Sequence, residues 1–180
     1  ILTISGHDAE SRALAMSQLH GLPDLIARVL AGRGVTVDEA IEFLDPTIRS
    51  LMPDPHKLTD CEKAAIRLVS AIERGESVAI FGDYDVDGAA SSALMFRFLS
   101  HFGVRANIYI PDRVFEGYGP NPAAINQLID NGAQLIVTVD CGSTSHEALA
   151  AAAARNIDVV VIDHHQVTHD LPPCHALVNP

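Results

Sequence analysis

Ser77-Val-Ala-Ile-Phe81 runs directly into Gly82-Asp-Tyr-Asp-Val-Asp-Gly88. Five residues with almost no polar side chain read as a buried strand, and the alternating carboxylates that follow read as a site. Asp and Glu are seldom buried unless they are paired or hold a metal, and alternate carboxylates on a chain leaving a sheet can converge on divalent cations. The pattern recurs twice downstream. Asp140 follows Leu135-Ile-Val-Thr-Val139, and Asp163-His164-His165 follows Val159-Val-Val-Ile162. Three strands therefore end in residues with metal-ligand chemistry.

Working outward, helical and strand segments alternate. Leu22-Pro23 opens an apolar-periodic stretch to Ala31, with Gly32 just past its end. Thr36-Val-Asp-Glu39 has the form of a capping box, opening a short helix stopped by Asp45-Pro46. A second box, Thr59-Asp-Cys-Glu62, is expected to start a helix running to Gly75. Next come a strand over 77–82, a helix over 87–102, a strand over 104–110 and a Gly/Pro-rich loop over 111–120. Asn121 caps a helix over 122–131, a strand covers 134–139, Thr144-Ser-His-Glu147 caps an Ala-rich helix to Asn156, and a strand covers 157–162. Continuous apolar strands separated by helices imply a doubly wound parallel α/β sheet with helices on both faces. The expected division is a short helical N-terminal extension over 1–57 and the α/β domain over 58–180.

In such sheets ligands bind beyond the carboxyl ends of the strands, where Asp83, Asp85, Asp87, Asp140, His164 and His165 all fall. Neighbouring strands lie about 4.8 Å apart and paired catalytic metals about 3.5–4 Å apart, so adjacent strand ends can share a binuclear centre.

The chain has 180 residues, 12 basic and 23 acidic side chains, and a net charge of −11. That balance argues against an extended phosphate-binding surface, although cations at the strand ends would cancel part of it. Hydrophobic residues make up 48%, which supports a sizeable core and excludes wholesale disorder. No apolar run is long enough for a bilayer and no signal-peptide pattern is present, so a soluble protein without membrane attachment is expected. Cys61, Cys141 and Cys174 lack zinc-site spacing and fit reduced thiols in the cytoplasm. A start at Ile1 and a stop at Asn179-Pro180 after an apolar run suggest part of a longer protein.

Each residue also has a plainer reading. Asp-x-Asp-x-Asp-Gly opens an EF-hand loop, but the bidentate Glu that loop needs at its twelfth position is Leu94 here. Asp85 or Asp87 can cap the following helix, and Asp140 alone can do the same for its own. His164 and His165 can be surface loop histidines. Arg113 can pair with Asp112 or Glu116, and Gly117-Tyr118-Gly119 can be a structural turn. The joint occurrence of these pieces is what points to a site.

Gly82-Asp-Tyr-Asp-Val-Asp-Gly-Ala89, Pro111-Asp-Arg-Val-Phe-Glu-Gly-Tyr-Gly119, Val139-Asp-Cys-Gly142 and Asp163-His-His165, in this order, resemble the motifs of the DHH phosphoesterase superfamily. The resemblance covers about residues 58–180 and is closest to its exonucleases specific for single-stranded DNA, whose N-terminal extension the preceding stretch also resembles. It implies two Mn2+ or Mg2+ ions and hydrolysis of phosphodiester bonds in single-stranded DNA from the 5′ end, in DNA repair and recombination. The alternatives are a DHH phosphodiesterase of short oligonucleotides or cyclic dinucleotides, and a non-catalytic scaffold that binds nucleic acid.

Carried over position by position, the resemblance makes Asp83, Asp85, Asp87, Asp140 and His164 metal ligands, with Asp140 as the bridge. Asp85, Asp140, His164 and His165 become the catalytic set. His165 would face the scissile phosphate, Asp163 would orient the histidine pair, and Arg113 and Tyr118 would touch the substrate. Two positions depart from the pattern: Phe81, where many relatives have His, and Phe115, where an acidic residue is common. The family also implies a further aspartate ligand and a second domain downstream, so the chain alone is expected to bind metal weakly. Single-stranded DNA is the implied partner, with a single-strand-binding protein or a helicase as further candidates.

Overall fold

The computed structural model describes residues 7–167 and 169–180, which divide into one unit ending at Pro53 and another spanning Asp54–Pro180. The first unit holds α1 (His7–His20), α2 (Asp24–Gly32), α3 (Ala40–Leu44) and α4 (Ile48–Leu51). Its core is Ala9, Ala13, Met16, Ala27, Leu30, Ala31, Val35 and Ala40. The apolar periodicity of the sequence does not announce α1, because its buried seam is small and narrow: two alanines and one methionine at helical spacing, with Leu14 and Leu19 left exposed. The Thr36 capping box does form, Thr36 N and Glu39 N each donating to the other's side chain at 3.1 and 3.4 Å.

The second unit contains α5 (Cys61–Arg74), β1 (Val78–Gly82), α6 (Val86–His101), β2 (Ala106–Tyr109), α7 (Pro122–Asp130), β3 (Leu135–Val139), α8 (His146–Ala154), β4 (Asp158–Ile162) and β5 (Ala176–Val178). All neighbouring strands are parallel, in the order β2-β1-β3-β4-β5. Sequence patterning had four strands; β5 has only three residues and no helix before it to announce it.

Alternate strand residues face two different layers, which is why the strands read as continuous apolar runs. Val78, Ile80, Leu135, Val137 and Val160 pack with Ala64 and Ala71 of α5 and Leu99 of α6. Ala79, Phe81, Ile136, Val159 and Val161 pack with Ile125 of α7 and Leu149 of α8 on the other side. A fully buried Phe81 or Leu149 stabilises the fold by about 1.5–3 kcal/mol.

Two expected capping boxes are absent. Asp60, not Thr59, precedes α5, in a left-handed conformation (φ 55°), and its carboxylate accepts from Leu177 N at 3.1 Å instead, tying α5 to β5. Ser145 precedes α8 and makes no side-chain cap. Asn121 caps α7 as expected, accepting from Ala124 N at 2.9 Å.

Candidate metal centre

The parallel register pairs Gly82 with Val139, Val139 with Ile162, and Ile162 with Val178. The next residue on each strand is therefore Asp83, Asp140, Asp163 and Asn179, one polar side chain per strand at the same level of the sheet. The ladder continues one step into this row, with Asp140 N donating to Ile162 O at 2.9 Å and Asp163 N to Val178 O at 3.0 Å. Because β1 leads outward to β2 and β3 returns on the other side, the β1/β3 boundary is the switch point at which ligands bind in open parallel sheets. Asp83 and Asp140 flank it.

Two groups of candidate ligand atoms meet there, all within 4.8 Å of one another in each group: Asp83, Asp85 and Asp140, and Asp140, His164 and His165. Asp140 belongs to both. Its backbone is left-handed (φ 61°), a conformation that Asp tolerates better than most residues but that still costs energy. Gly142 makes the turn beyond it possible. At φ 110°, a Cβ there would also meet Thr138 Oγ1 at 2.6 Å.

Asp85 does the work of both readings offered by the sequence. It is the N-cap of α6, with Oδ1 accepting from Asp87 N and Gly88 N, each at 3.0 Å, and it lies beside Asp83 and Asp140 as well. Gly88 lets the helix start close to the strand: a Cβ would stand 2.6 Å from the backbone N and C of Asp83. Asp87, in the first turn of α6, is exposed and lies outside both groups.

The electrostatics separate the carboxylates. Backbone donation from Gly88 holds Asp85 below its ordinary range. Burial, and then the facing Asp85, push Asp140 up, while His164 Nε2 at 2.9 Å from Asp140 Oδ1 pulls the other way. Burial would also raise Asp163. Hydrogen bonds from the His165 ring and Ser143 hold it down to about 2 instead. Asp163 Oδ1 accepts from His164 N at 2.7 Å, His165 N at 3.1 Å and His165 Nδ1 at 2.7 Å, and Oδ2 from Ser143 N at 3.0 Å. The same contact raises the pKa of His165. His165, expected at the substrate, thus also lies among the candidate ligand groups, with Nδ1 engaged by Asp163 and Nε2 3.2 Å from the Tyr118 hydroxyl.

Asp83 Oδ1 and Asp140 Oδ2 are buried without a hydrogen-bond partner. A bare carboxylate oxygen out of solvent is costly, and a divalent cation is the group that oxygen-rich donors of this kind satisfy. The residues present therefore fit a metal. Cys141 is no rival nucleophile, since it is fully buried and burial pushes its thiol up.

The loop over 111–120 borders the centre. Tyr109 OH donates to Glu116, whose other oxygen accepts from Asp112 N at 2.7 Å. Arg113 pairs with neither Asp112 nor Glu116: its guanidinium lies over the Tyr84 ring, 4.8 Å from the centroid, between two of the candidate ligands in sequence. Ser143, Asn179 and Tyr84 are contributors that sequence reasoning passed over. Asn179 carried a legible signal, an apolar run ending in a polar residue, as at Asp83 and Asp140.

The profile of the DHH family, N-terminal domain, matches residues 77–180. The chain belongs to the DHH family. The family match covers the whole sheet and every residue of the metal centre. The chain is 36% identical over 163 residues to the single-stranded-DNA-specific exonuclease RecJ of Bacillus subtilis (strain 168), covering 91% of this chain and 21% of that protein. It is 37% identical over 160 residues to RecJ of Escherichia coli (strain K12), covering 88% and 27%. Among solved structures, exonuclease RecJ bound to manganese superposes with a TM-score of 0.66 at 32% identity, covering 71% of this chain and 33% of that one. RecJ from Thermus thermophilus in complex with Mn2+ gives 0.76 at 25% identity, covering 94% and 23%. The DHH chain thus spans about a quarter of the length of the curated relatives it matches.

Proposed function

We propose that this chain carries the metal centre of an exonuclease that hydrolyses phosphodiester bonds in single-stranded DNA from the 5′ end. The observation that carries the reading is Asp140, shared between two ligand groups and bearing, like Asp83, a buried carboxylate oxygen with no partner. The names and manganese-bound structures of the RecJ relatives support the substrate and the ion.

Asp83, Asp85, Asp140 and His164 would hold Mn2+ or Mg2+, Asp140 being common to both ligand groups. Bound there, divalent ions supply acidification of water near neutral pH and neutralisation of phosphate charge. The protein's own part is positional. Asp163 fixes the orientation of His165 through Nδ1, which leaves Nε2 beside the Tyr118 hydroxyl. Burial and the surrounding carboxylates raise the Tyr118 phenol, so it stays a neutral hydroxyl able to donate to phosphate or DNA. Arg113, exposed and without an ion pair among the described residues, offers a planar fork suited to a terminal phosphate. A single-strand-binding protein or helicase in the cytoplasm is part of the same proposal. Unwinding and coating produce and present single strands, and three free cysteines suit a reducing compartment.

Asp140→Asn tests the centre. Asn also tolerates a left-handed backbone, so the fold is preserved, but the buried negative charge is gone. Mn2+ binding by calorimetry and digestion of single strands are both expected to collapse. Because the folded state raises the pKa of Asp140, ionising it opposes folding at neutral pH. The metal-free variant is therefore expected to unfold at a higher temperature than the wild-type chain. Undiminished digestion would remove the proposal. Arg113→Ala is expected to slow digestion of 5′-phosphorylated strands more than of 5′-hydroxyl strands; an equal effect on both would take the terminal phosphate away from Arg113.

A further inference from the structure

Asn179 stands in the fourth place of the row formed by Asp83, Asp140 and Asp163, one step beyond β5. Its Nδ2 donates to Ser143 Oγ at 3.1 Å and to the backbone carbonyl of His165 at 2.9 Å. One amide group thereby joins the segment that follows β3, three residues after Asp140, to the segment that follows β4 and carries both histidines. The His165 carbonyl can only accept, so it fixes which end of the Asn179 amide faces inward. Asp163 bridges the same two segments from below, through Ser143 N and the amides of His164 and His165.

We infer that Asn179 is a positioning residue for the metal centre, setting the distance between Asp140 and the two histidines without touching ion or substrate. The inference rests on the metal reading above and deepens it. Loops that leave adjacent strands keep their spacing when hydrogen bonds cross between them. Outer partners of this kind commonly alter metal affinity by about 10–100-fold when removed.

Asn179→Asp keeps the shape and removes the donor. Ser143 can turn its hydroxyl to donate to the new carboxylate, but the His165 carbonyl is left facing an acceptor. Asn179→Ala removes both contacts without adding charge. Two measurements on the 180-residue chain decide the matter. In the metal-free protein, amide hydrogen exchange is expected to quicken at His164 and His165 in both variants while the strands stay protected. In Mn2+ titration by calorimetry, affinity is expected to fall about tenfold or more in Asn179→Ala, with a smaller change in unfolding midpoint than Asp163→Ala produces. Exchange that quickens evenly over the whole sheet, or wild-type exchange at the two histidines, would overturn the inference. So would wild-type Mn2+ affinity in Asn179→Ala. If the wild-type chain itself binds no Mn2+, the metal reading fails, and the metal-free exchange still decides whether Asn179 holds the histidine segment.

Discussion

Asp163 lies outside both groups of candidate ligands, yet it holds the segments that carry them. It is 6% exposed, and among the described residues the hydrogen bonds it accepts come from Ser143, His164 and His165. Its lowered pKa and the raised pKa of His165 describe one interaction seen from two ends. For the acid, the stabilising contribution is present above its unfolded value of about 3.9 and is lost as pH falls toward about 2. For the base, it is complete below the unfolded value of about 6.5 and is lost as pH rises through the higher folded value. The contact is therefore at full strength between about pH 4 and 6.5. In the metal-free chain, the His165 ring followed by NMR is expected to titrate above its ordinary value and to return toward it in Asp163→Asn. Identical titrations would mean that the contact does not operate in solution.

The β1–α6 junction shows how closely two elements must approach to build the centre. Gly88 is needed for proximity, because a side chain would enter the backbone of Asp83. Gly88→Ala is expected to push the start of α6 outward and cost about 1–3 kcal/mol in denaturant unfolding. It should also weaken Mn2+ binding, because the Asp85 cap and the Asp83 carboxylate separate. Unchanged stability and binding together would show that the junction relaxes without cost. Local signals were uneven guides among these elements. Asn121 caps as its sequence suggests. Thr36 and Glu39 exchange their hydrogen bonds in the turn before α3, whose N-cap residue is Glu39 rather than Thr36. Thr59 does not cap, and the neighbouring Asp60 is engaged by β5. That partner lies 117 residues away along the chain, and no local pattern contains it.

Across the α/β unit, the two ends of the sheet have different duties. Opposite the metal centre, Arg67 of α5 bridges Glu76, just before β1, at 2.8 Å and Asp158, at the start of β4, at 2.6 Å. Arg67 and Glu76 are nearly out of solvent, with side chains 11% and 10% exposed, so removing the cation leaves a buried carboxylate served only by exposed Arg74 at 3.6 Å. Arg67→Ala is expected to destabilise the chain by about 3 kcal/mol while leaving Mn2+ affinity per folded molecule unchanged. A large fall in affinity at a temperature where the variant is fully folded would refute the separation of stability from chemistry.

The sequence by itself determined the parallel doubly wound sheet, since apolar runs alternating with capped helices admit few other arrangements. It also determined that Asp83, Asp140 and Asp163 stand at one edge, because each follows its run directly. Only the tertiary structure decided which of these polar groups meet. Asp85 turned inward and Asp87 outward once α6 began between them, Arg113 chose the Tyr84 face over nearer carboxylates, and β5 brought Asn179 into line with three aspartates. The physical reason is range. Strand and helix patterns are written in neighbours along the chain, whereas the spacing of a metal centre is set by register between strands that are distant in sequence.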